Sequence, residues 1–332
     1  MEPLRAAEEF VSSARDEGRR WLDTSEVDLY STLRWLDLPE SHLDEVMARY
    51  GDLRRDPVFG PLVGGMVERL VNDRGDLDQP LPIWPDFDEF GDLGRLWWIY
   101  VVGLATPSLV TFHESRGLPA DVTRRTVSVL ARHANLHERK WGTPGVDAGW
   151  WMIPVIRGEL VQVGSLQFHR YHLGGSVLTP RPWFTRDEAT TLGPGFRDGD
   201  EAWGVHIPDG TDLSESALEE TWERARDVLH LAWPPSTRRL ATLQSWMMDS
   251  RLAKFLGPDS RIVRFQREFH AGARWGHDVD NVVEFVFRQP ASHLRGLVAR
   301  TRVQAAVLEV LRSGDSWRDG VGWRDFDRPD VR

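Results

Sequence analysis

Near residue 150 the apolar residues of this chain stop recurring every three or four positions and begin to alternate in twos. The first period lines one stripe of a helix and the second lines one face of a strand, so neither a helical bundle nor a simple doubly wound sheet accommodates the whole chain. Upstream, residues 4–11, 40–50 and 58–70 read as helices. Residues 93–102 read as a buried helix that breaks at Thr106-Pro107. Residues 121–139 form a helix with Val122, Thr126, Leu130, Ala134 and His137 on one side. Downstream, residues 151–157 and 160–171 read as strands joined by a hairpin at Gly158-Glu159. A glycine- and proline-rich excursion over 173–200 leads to a short strand at 202–208. Ser216 and Glu219 form a capping box for a helix reaching about residue 231. Strands at 239–247, 261–270 and 282–288, a short helix at 251–256 and an amphipathic helix at 301–311 complete the order. The fold class is α+β: a helical N-terminal domain over 1–149, then a mixed β-sheet flanked by helices over 150–332.

Composition narrows the function. The 332 residues carry 41 basic and 51 acidic side chains, a net charge of −10. The acidity sits in residues 1–90, where 10 Arg face 21 Asp and Glu, and the remainder is close to neutral. No basic tract exists to track a nucleic-acid backbone, so nucleic acid is not expected as a partner. With no cysteine, disulfides, thiolate nucleophiles and cysteine metal sites are excluded, in keeping with a reducing compartment. The first twenty residues lack an apolar signal core, and the apolar stretch 96–104 is far shorter than the roughly 20 residues that span a bilayer. A cytoplasmic protein with no membrane partner is the expectation.

Common motifs are missing. There is no glycine fingerprint for a dinucleotide, no phosphate loop ending in Gly-Lys-Ser/Thr, and no nucleophilic serine between glycines. His133 and His137 share a helical side and, with Glu138, would need a third ligand to hold a metal; no metal is assigned. His169 and His172 fall on opposite faces of a strand. In the run WGVHIP, Trp203, Val205 and Ile207 take one face of a strand and leave Gly204 and His206 on the other, where a titratable ring beside a small residue can border a cleft. The 16 tryptophans suit core packing, with Trp246, Trp317 and Trp323 able to line an apolar pocket.

The segments GSLQFHR (164–170), WGVHIPDG (203–210), LQSWMMDSRLAKFL (243–256), SRIVRFQREF (260–269) and VVEFVFR (282–288) resemble actinobacterial acyltransferase-domain proteins. These join an N-terminal helical acyltransferase region to a C-terminal domain like the GNAT-type N-acyltransferases, and the resemblance covers most of the chain. It implies that the helix after Ser216 receives a cofactor pyrophosphate and that the strands ending near His206 and Ser245 splay to admit an acyl-pantetheine arm. It implies direct transfer of an acyl group from acyl-CoA, or from an acyl carrier protein, to an amine or hydroxyl of a small-molecule acceptor. No tightly bound cofactor is implied. His206 is the first candidate for proton transfer, Ser245 for hydrogen bonding the acceptor or departing sulfur, His137 as a group entering from the helical domain, and Asp209 as an orienting carboxylate. Ile207, Pro208, Gly210, Thr211 and Ser214 would cradle the donor, with Arg238 or Arg239 adding positive charge.

The chain departs from the family pattern at the phosphate-binding turn. Spaced glycines give way to Pro208-Asp209-Gly210-Thr211-Asp212-Leu213-Ser214-Glu215, whose carboxylates oppose phosphate. No tyrosine stands in residues 250–256, where relatives often present a proton donor. These departures keep a noncatalytic binding or assembly protein of the same fold as the alternative, with a metal-dependent hydrolase a more distant one. Nothing in the sequence fixes the oligomeric state.

Overall fold

The computed structural model of the protein describes residues 5, 17–79, 87–174, 197, 199–235, 239–277, 279–289 and 296–327. The helix expected at 4–11, most of the 173–200 excursion and Arg238 lie outside the described residues. The chain forms two compact units, Met1–Gln162 and Val163–Arg332.

The first unit consists of helices α1 (Glu26–Trp35), α2 (Glu40–Arg55), α3 (Phe59–Asn72), α4 (Asp92–Ser115), α5 (Ala120–Val127), α6 (Val129–Trp141) and α7 (Met152–Ile156), with short 3-10 turns between them. Residues 96–106 of α4 are all buried, and a helix apolar on every side belongs at the centre of a core. By length and composition α4 could cross a bilayer, yet 72% of its most apolar window is covered by the protein itself. The Tyr100 hydroxyl donates to the Val46 carbonyl at 2.9 Å. Gly103 gives Leu29 and Leu33 room to approach, since a Cβ there would meet them at 2.8 and 2.9 Å.

The expected break at Pro107 does not occur, and α4 continues to Ser115. The proline removes one helical N–H, but the preceding turn, Gly103–Thr106, is buried, and the Thr106 hydroxyl donates to Val102 at 2.7 Å. The single helix expected at 121–139 is divided at Ser128 into α5 and α6.

Residues 151–157 are also not a strand. Met152–Ile156 is helical and buried at every position. A short, wholly apolar run satisfies either period, and Pro154 cannot serve a central ladder. The glycine read as a hairpin turn closes this helix instead. Gly158 takes φ +67°, its N–H reaches Val155 O at 3.0 Å, and Glu159 N–H reaches Pro154 O at 2.9 Å, which is a Schellman cap.

The sheet has the order β1-β2-β3-β4-β6-β5, from β1 (Leu160–Val163), β2 (Leu166–His172), β3 (Glu201–His206), β4 (Leu240–Ser245), β5 (His270–His277) and β6 (Arg318–Asp325). The stretch read as one strand over 160–171 turns at Gly164-Ser165 to give β1 and β2. β2 and β3 are antiparallel, β3 and β4 parallel, and β6 antiparallel to both β4 and β5. Helices α8 (Glu215–Ala232), α9 (Leu252–Leu256), α10 (Arg261–Arg267), α11 (Val279–Phe287) and α12 (Arg302–Arg312) belong to the same unit.

Two expected strands are helices. At 261–270 the Ser260 hydroxyl accepts the Val263 N–H and starts α10, so a capping signal outweighs β-branched and aromatic composition. At 282–288, Val279, Val282, Val283 and Val286 recur at helical spacing within α11. The strand β6 has no sequence counterpart because glycine is a poor strand former. Here it is required: a Cβ on Gly320 would meet Met248 at 2.6 Å, and one on Gly322 would meet the Met248 methyl at 2.6 Å and Phe269 at 2.9 Å.

One face of the sheet is apolar. Phe168 lies 5.5 Å from Trp222 of α8, Trp203 lies 5.7 Å from Trp233, and Phe326 lies 6.0 Å from both Phe168 and Trp203, centroid to centroid. Each such ring contributes roughly 2–3 kcal/mol by burial, which fixes the register of the central strands.

Candidate active site

β3 and β4 pair only over Ala202↔Leu240, Trp203↔Ala241 and Gly204↔Thr242. Each strand then continues with its other neighbour, β3 reaching His206↔Gln167 on β2 and β4 reaching Ser245↔Gly320 on β6. Among the described residues no β3–β4 pair follows Gly204↔Thr242. Two parallel strands therefore begin hydrogen-bonded and end as a fork. Backbone N–H and C=O groups on the inner edges of such a fork call for a polar guest.

The two faces of the fork differ chemically. Alternation and register put Gln167, His169 and Tyr171 of β2, Gly204 and His206 of β3, and Thr242 and Gln244 of β4 on one face. This polar face is buried at Gln167, His169, Tyr171 and Thr242. The Tyr171 and Thr242 hydroxyls are 2.7 Å apart, at the last paired rung. The rings of His169 and His206 lie 5.9 Å apart. Burial first, and the nearby His169 second, hold the His206 imidazole well below its ordinary pKa of 6.5. His206 is thus neutral, the form that can accept a proton.

Ser245 ends β4 on the opposite, apolar face. Its hydroxyl oxygen accepts the Met247 N–H at 3.1 Å and leaves its own proton available.

Beyond His206, Ile207 and Pro208 lead into the turn to α8. Gly210 takes φ +76°, a conformation that suits glycine. The Thr211 hydroxyl donates to Pro208 O at 2.6 Å. The expected Ser216–Glu219 capping box is absent: α8 begins at Glu215, with Ser214 as the N-cap residue. The Ser214 hydroxyl donates to Asp212 at 2.9 Å and accepts from no helix N–H. Hydrogen bonds from the Ser214 N–H and hydroxyl, and to a lesser extent the charge of Arg261, hold the Asp212 carboxyl below its ordinary range. A cleft of about 380 Å³ opens beside the turn at Thr211, lined by Leu213, Leu256, Ile262 and Val303 together with Arg261 and Arg302.

Other residues singled out in the sequence lie elsewhere. Arg239 precedes β4, at the end of the strands remote from the turn. It is buried, pairs with Glu201 at 3.2 Å and lies 5.6 Å over the Trp203 ring. Asp209 meets Arg288 at 2.8 Å. His137, in the helical unit, holds Thr143 O at 2.9 Å through Nδ1. His133 holds the Asp147 carbonyl and His42 the Gly145 carbonyl of the same loop. Among the described residues no group of three His, Cys, Asp or Glu could hold a metal ion.

Of the polar face, alternation within one strand gave Gly204 and His206, while Gln167, His169, Tyr171, Thr242 and Gln244 looked like isolated polar positions. Had β2 been paired with β3, the alternation of Gln167, His169 and Tyr171 would have placed them beside His206. Arg261 and Arg288 carried no local signal, since each is more than forty residues from the carboxylate it meets.

Comparison with known proteins decides the family. Residues 27–158 match the N-acyltransferase N-terminal domain and residues 160–324 match the GNAT-like C-terminal domain. The chain is an acyltransferase with a GNAT-like C-terminal domain. Among solved structures, an acyltransferase in complex with decanoyl-CoA and teicoplanin aligns at 28% identity over 89% of this chain and 86% of that one, with a TM-score of 0.75. An acyltransferase in complex with decanoyl-CoA aligns at 25% identity over 94% and 99%, also at 0.75. A mutant acyltransferase in complex with octanoyl-CoA aligns at 28% over 88% and 86%, again at 0.75. A search of curated proteins finds no match. In this GNAT-like acyltransferase the forked strands β3 and β4 are followed by the turn Pro208–Glu215, which carries Asp209 and Asp212.

Proposed function

We propose that this acyltransferase moves an acyl group directly from acyl-CoA to the amine of a small-molecule acceptor. The observation that carries the reading is the end of β3–β4 pairing at Gly204↔Thr242. A pantetheine arm lying in the fork would exchange amide hydrogen bonds with the strand edges and hold its thioester near the last rung. An amine is favoured over a hydroxyl because the matching N-terminal domain is that of N-acyltransferases. The decanoyl- and octanoyl-CoA complexes of the relatives support a medium-chain donor. Such chemistry belongs in the cytoplasm, where CoA thioesters are made.

In this mechanism the acceptor approaches from the polar face and its nitrogen attacks the thioester carbonyl carbon. Neutral His206 takes a proton from that nitrogen, and backbone N–H groups of the fork stabilise the oxyanion. The C–S bond then breaks, its electron pair leaves on sulfur, and the Ser245 hydroxyl hydrogen-bonds the thiolate from the opposite face. The proton on His206 returns to solvent and the thiolate takes one up, so acceptor and CoA are released neutral at the reacting atoms. A donor entering on one side of a sheet and an acceptor on the other need not compete for space.

The test is thiol release from decanoyl-CoA across a panel of amines, run beside decanoyl-phosphopantetheine on an acyl carrier protein. Amine-dependent release with decanoyl-CoA is expected. If neither donor binds or is consumed, the assignment is abandoned; consumption of the carrier-bound donor alone replaces CoA with the carrier protein as the partner.

A further inference from the structure

The turn after β3 holds two carboxylates where a phosphate-binding turn needs positive charge, and each is already met by an arginine from far along the chain. Asp209 faces Arg288 at 2.8 Å and Asp212 faces Arg261 at 3.1 Å. Arg261 also lines the cleft that opens at Thr211 and Leu213. Arg288 follows α11 with φ +56°, a left-handed conformation that disfavours any side chain except at short polar residues. Glycine would terminate the helix more cheaply. A costly backbone that carries a guanidinium to the turn is the kind of local strain that accompanies a site.

We propose that Arg261 and Arg288 read the phosphates of the donor's 3′-phospho-ADP end, and that Asp209 and Asp212 hold them in place until the donor arrives. This rests on the acyl-CoA reading above and adds to it the residues that distinguish CoA from a bare pantetheine thioester. Both carboxylates are more than half exposed, so their ion pairs with arginine are weak and screened by water. A phosphate offers the same guanidinium a charge-assisted, bidentate partner. The exchange therefore runs towards the donor. Arg302, in the same cleft, is committed to the Phe255 and Leu256 carbonyls at 3.2 and 3.1 Å and is not needed for it.

The experiment is calorimetric titration of the full chain and its variants with CoA and with pantetheine, which share the arm but not the phosphates. Arg261→Gln and Arg288→Gly should each weaken CoA by about tenfold and move pantetheine by less than about twofold. Arg288→Gly relieves the left-handed strain, so loss of folding cannot explain its effect. Arg288→Lys should recover part of the affinity through charge alone. Asp209→Asn and Asp212→Asn free the arginines beforehand and should tighten CoA by about twofold. Arginine variants that leave CoA affinity in place, or weaken pantetheine equally, overturn the assignment of the arginines. Carboxamide variants that weaken CoA overturn the exchange. Failure of the unsubstituted chain to bind CoA at all would instead remove the donor reading on which both stand.

Discussion

β3 and β4 use an arginine and a carboxylate at each of their ends, to opposite effect. At the paired end, Arg239 is buried against Glu201 and the Trp203 ring, and Glu201 is also held by Arg170. Burial lowers the Arg239 pKa, while Arg170 holds the Glu201 carboxyl below its ordinary range despite desolvation. Such a pair locks two strands together, because Arg239 without Glu201 would be a buried, uncompensated charge. At the forked end, Arg261 and Arg288 meet exposed carboxylates on a turn and bind nothing irreversibly. Burial, rather than residue type, decides which ion pair is structural and which is available for exchange.

The largest expected effect belongs to the forked end. His206→Ala should lower kcat by about ten- to ten-thousand-fold while changing donor affinity little, if the ring transfers the proton. Steady-state kinetics with decanoyl-CoA separate the two quantities, and near-normal kcat would exclude the role. The next effect belongs to the paired end. Arg239→Ala should destabilise the fold by roughly 3 kcal/mol, near the low end for a broken buried pair because Glu201 keeps Arg170. Arg261→Gln, changing an exposed pair, should shift stability by less than about 0.5 kcal/mol. Urea unfolding of both variants would dissolve the contrast if the two shifts proved equal. Between them falls Gly210→Ala, for which nothing stands within 4 Å of the new Cβ. Its cost of about 1 kcal/mol would come from the φ of +76° alone.

What could be read from the sequence follows the same division between local and distant causes. His206 opposite Trp203 and Val205 was legible because alternation is a local rule, and β3 keeps it. The helix after the turn was legible, but its start was set two residues late: Ser216-Glu219 has the spacing of a capping box, whereas Ser214 precedes the first helical turn. The reading failed where composition and period disagreed. Valine in α11 and the Ile-Val-Phe run of α10 favour strands by propensity, while the 3–4 spacing of the first and the Ser260 cap of the second favour helix, and the helix prevailed. It also failed where the cause lies far along the chain. Gly320 and Gly322 make sense only once Met248 is packed on them, and Arg288 only once Asp209 is opposite. Arg239, offered with Arg238 as positive charge for the turn, is carried by the parallel crossover to the far end of the sheet.

The smallest effect sharpens the forked end further. His206 is held below 6.5 by burial first and by His169 second, so as a base it is deprotonated throughout the neutral range. The rate constant kcat/KM should therefore rise with pH along an acid limb lying below 6.5 and stay level above it. In His169→Gln the second cause is gone while the ring's burial remains. Removing a neighbour that can carry positive charge makes protonation of His206 easier, so its pKa rises and the acid limb moves upward, still short of 6.5. The direction separates the two roles available to His169. A ring that merely fills space would leave the limb where it was and change stability alone, whereas one that tunes His206 must move it. A limb that moves downward would require His169 to be favouring the protonated form, and would reverse the electrostatic account of the polar face.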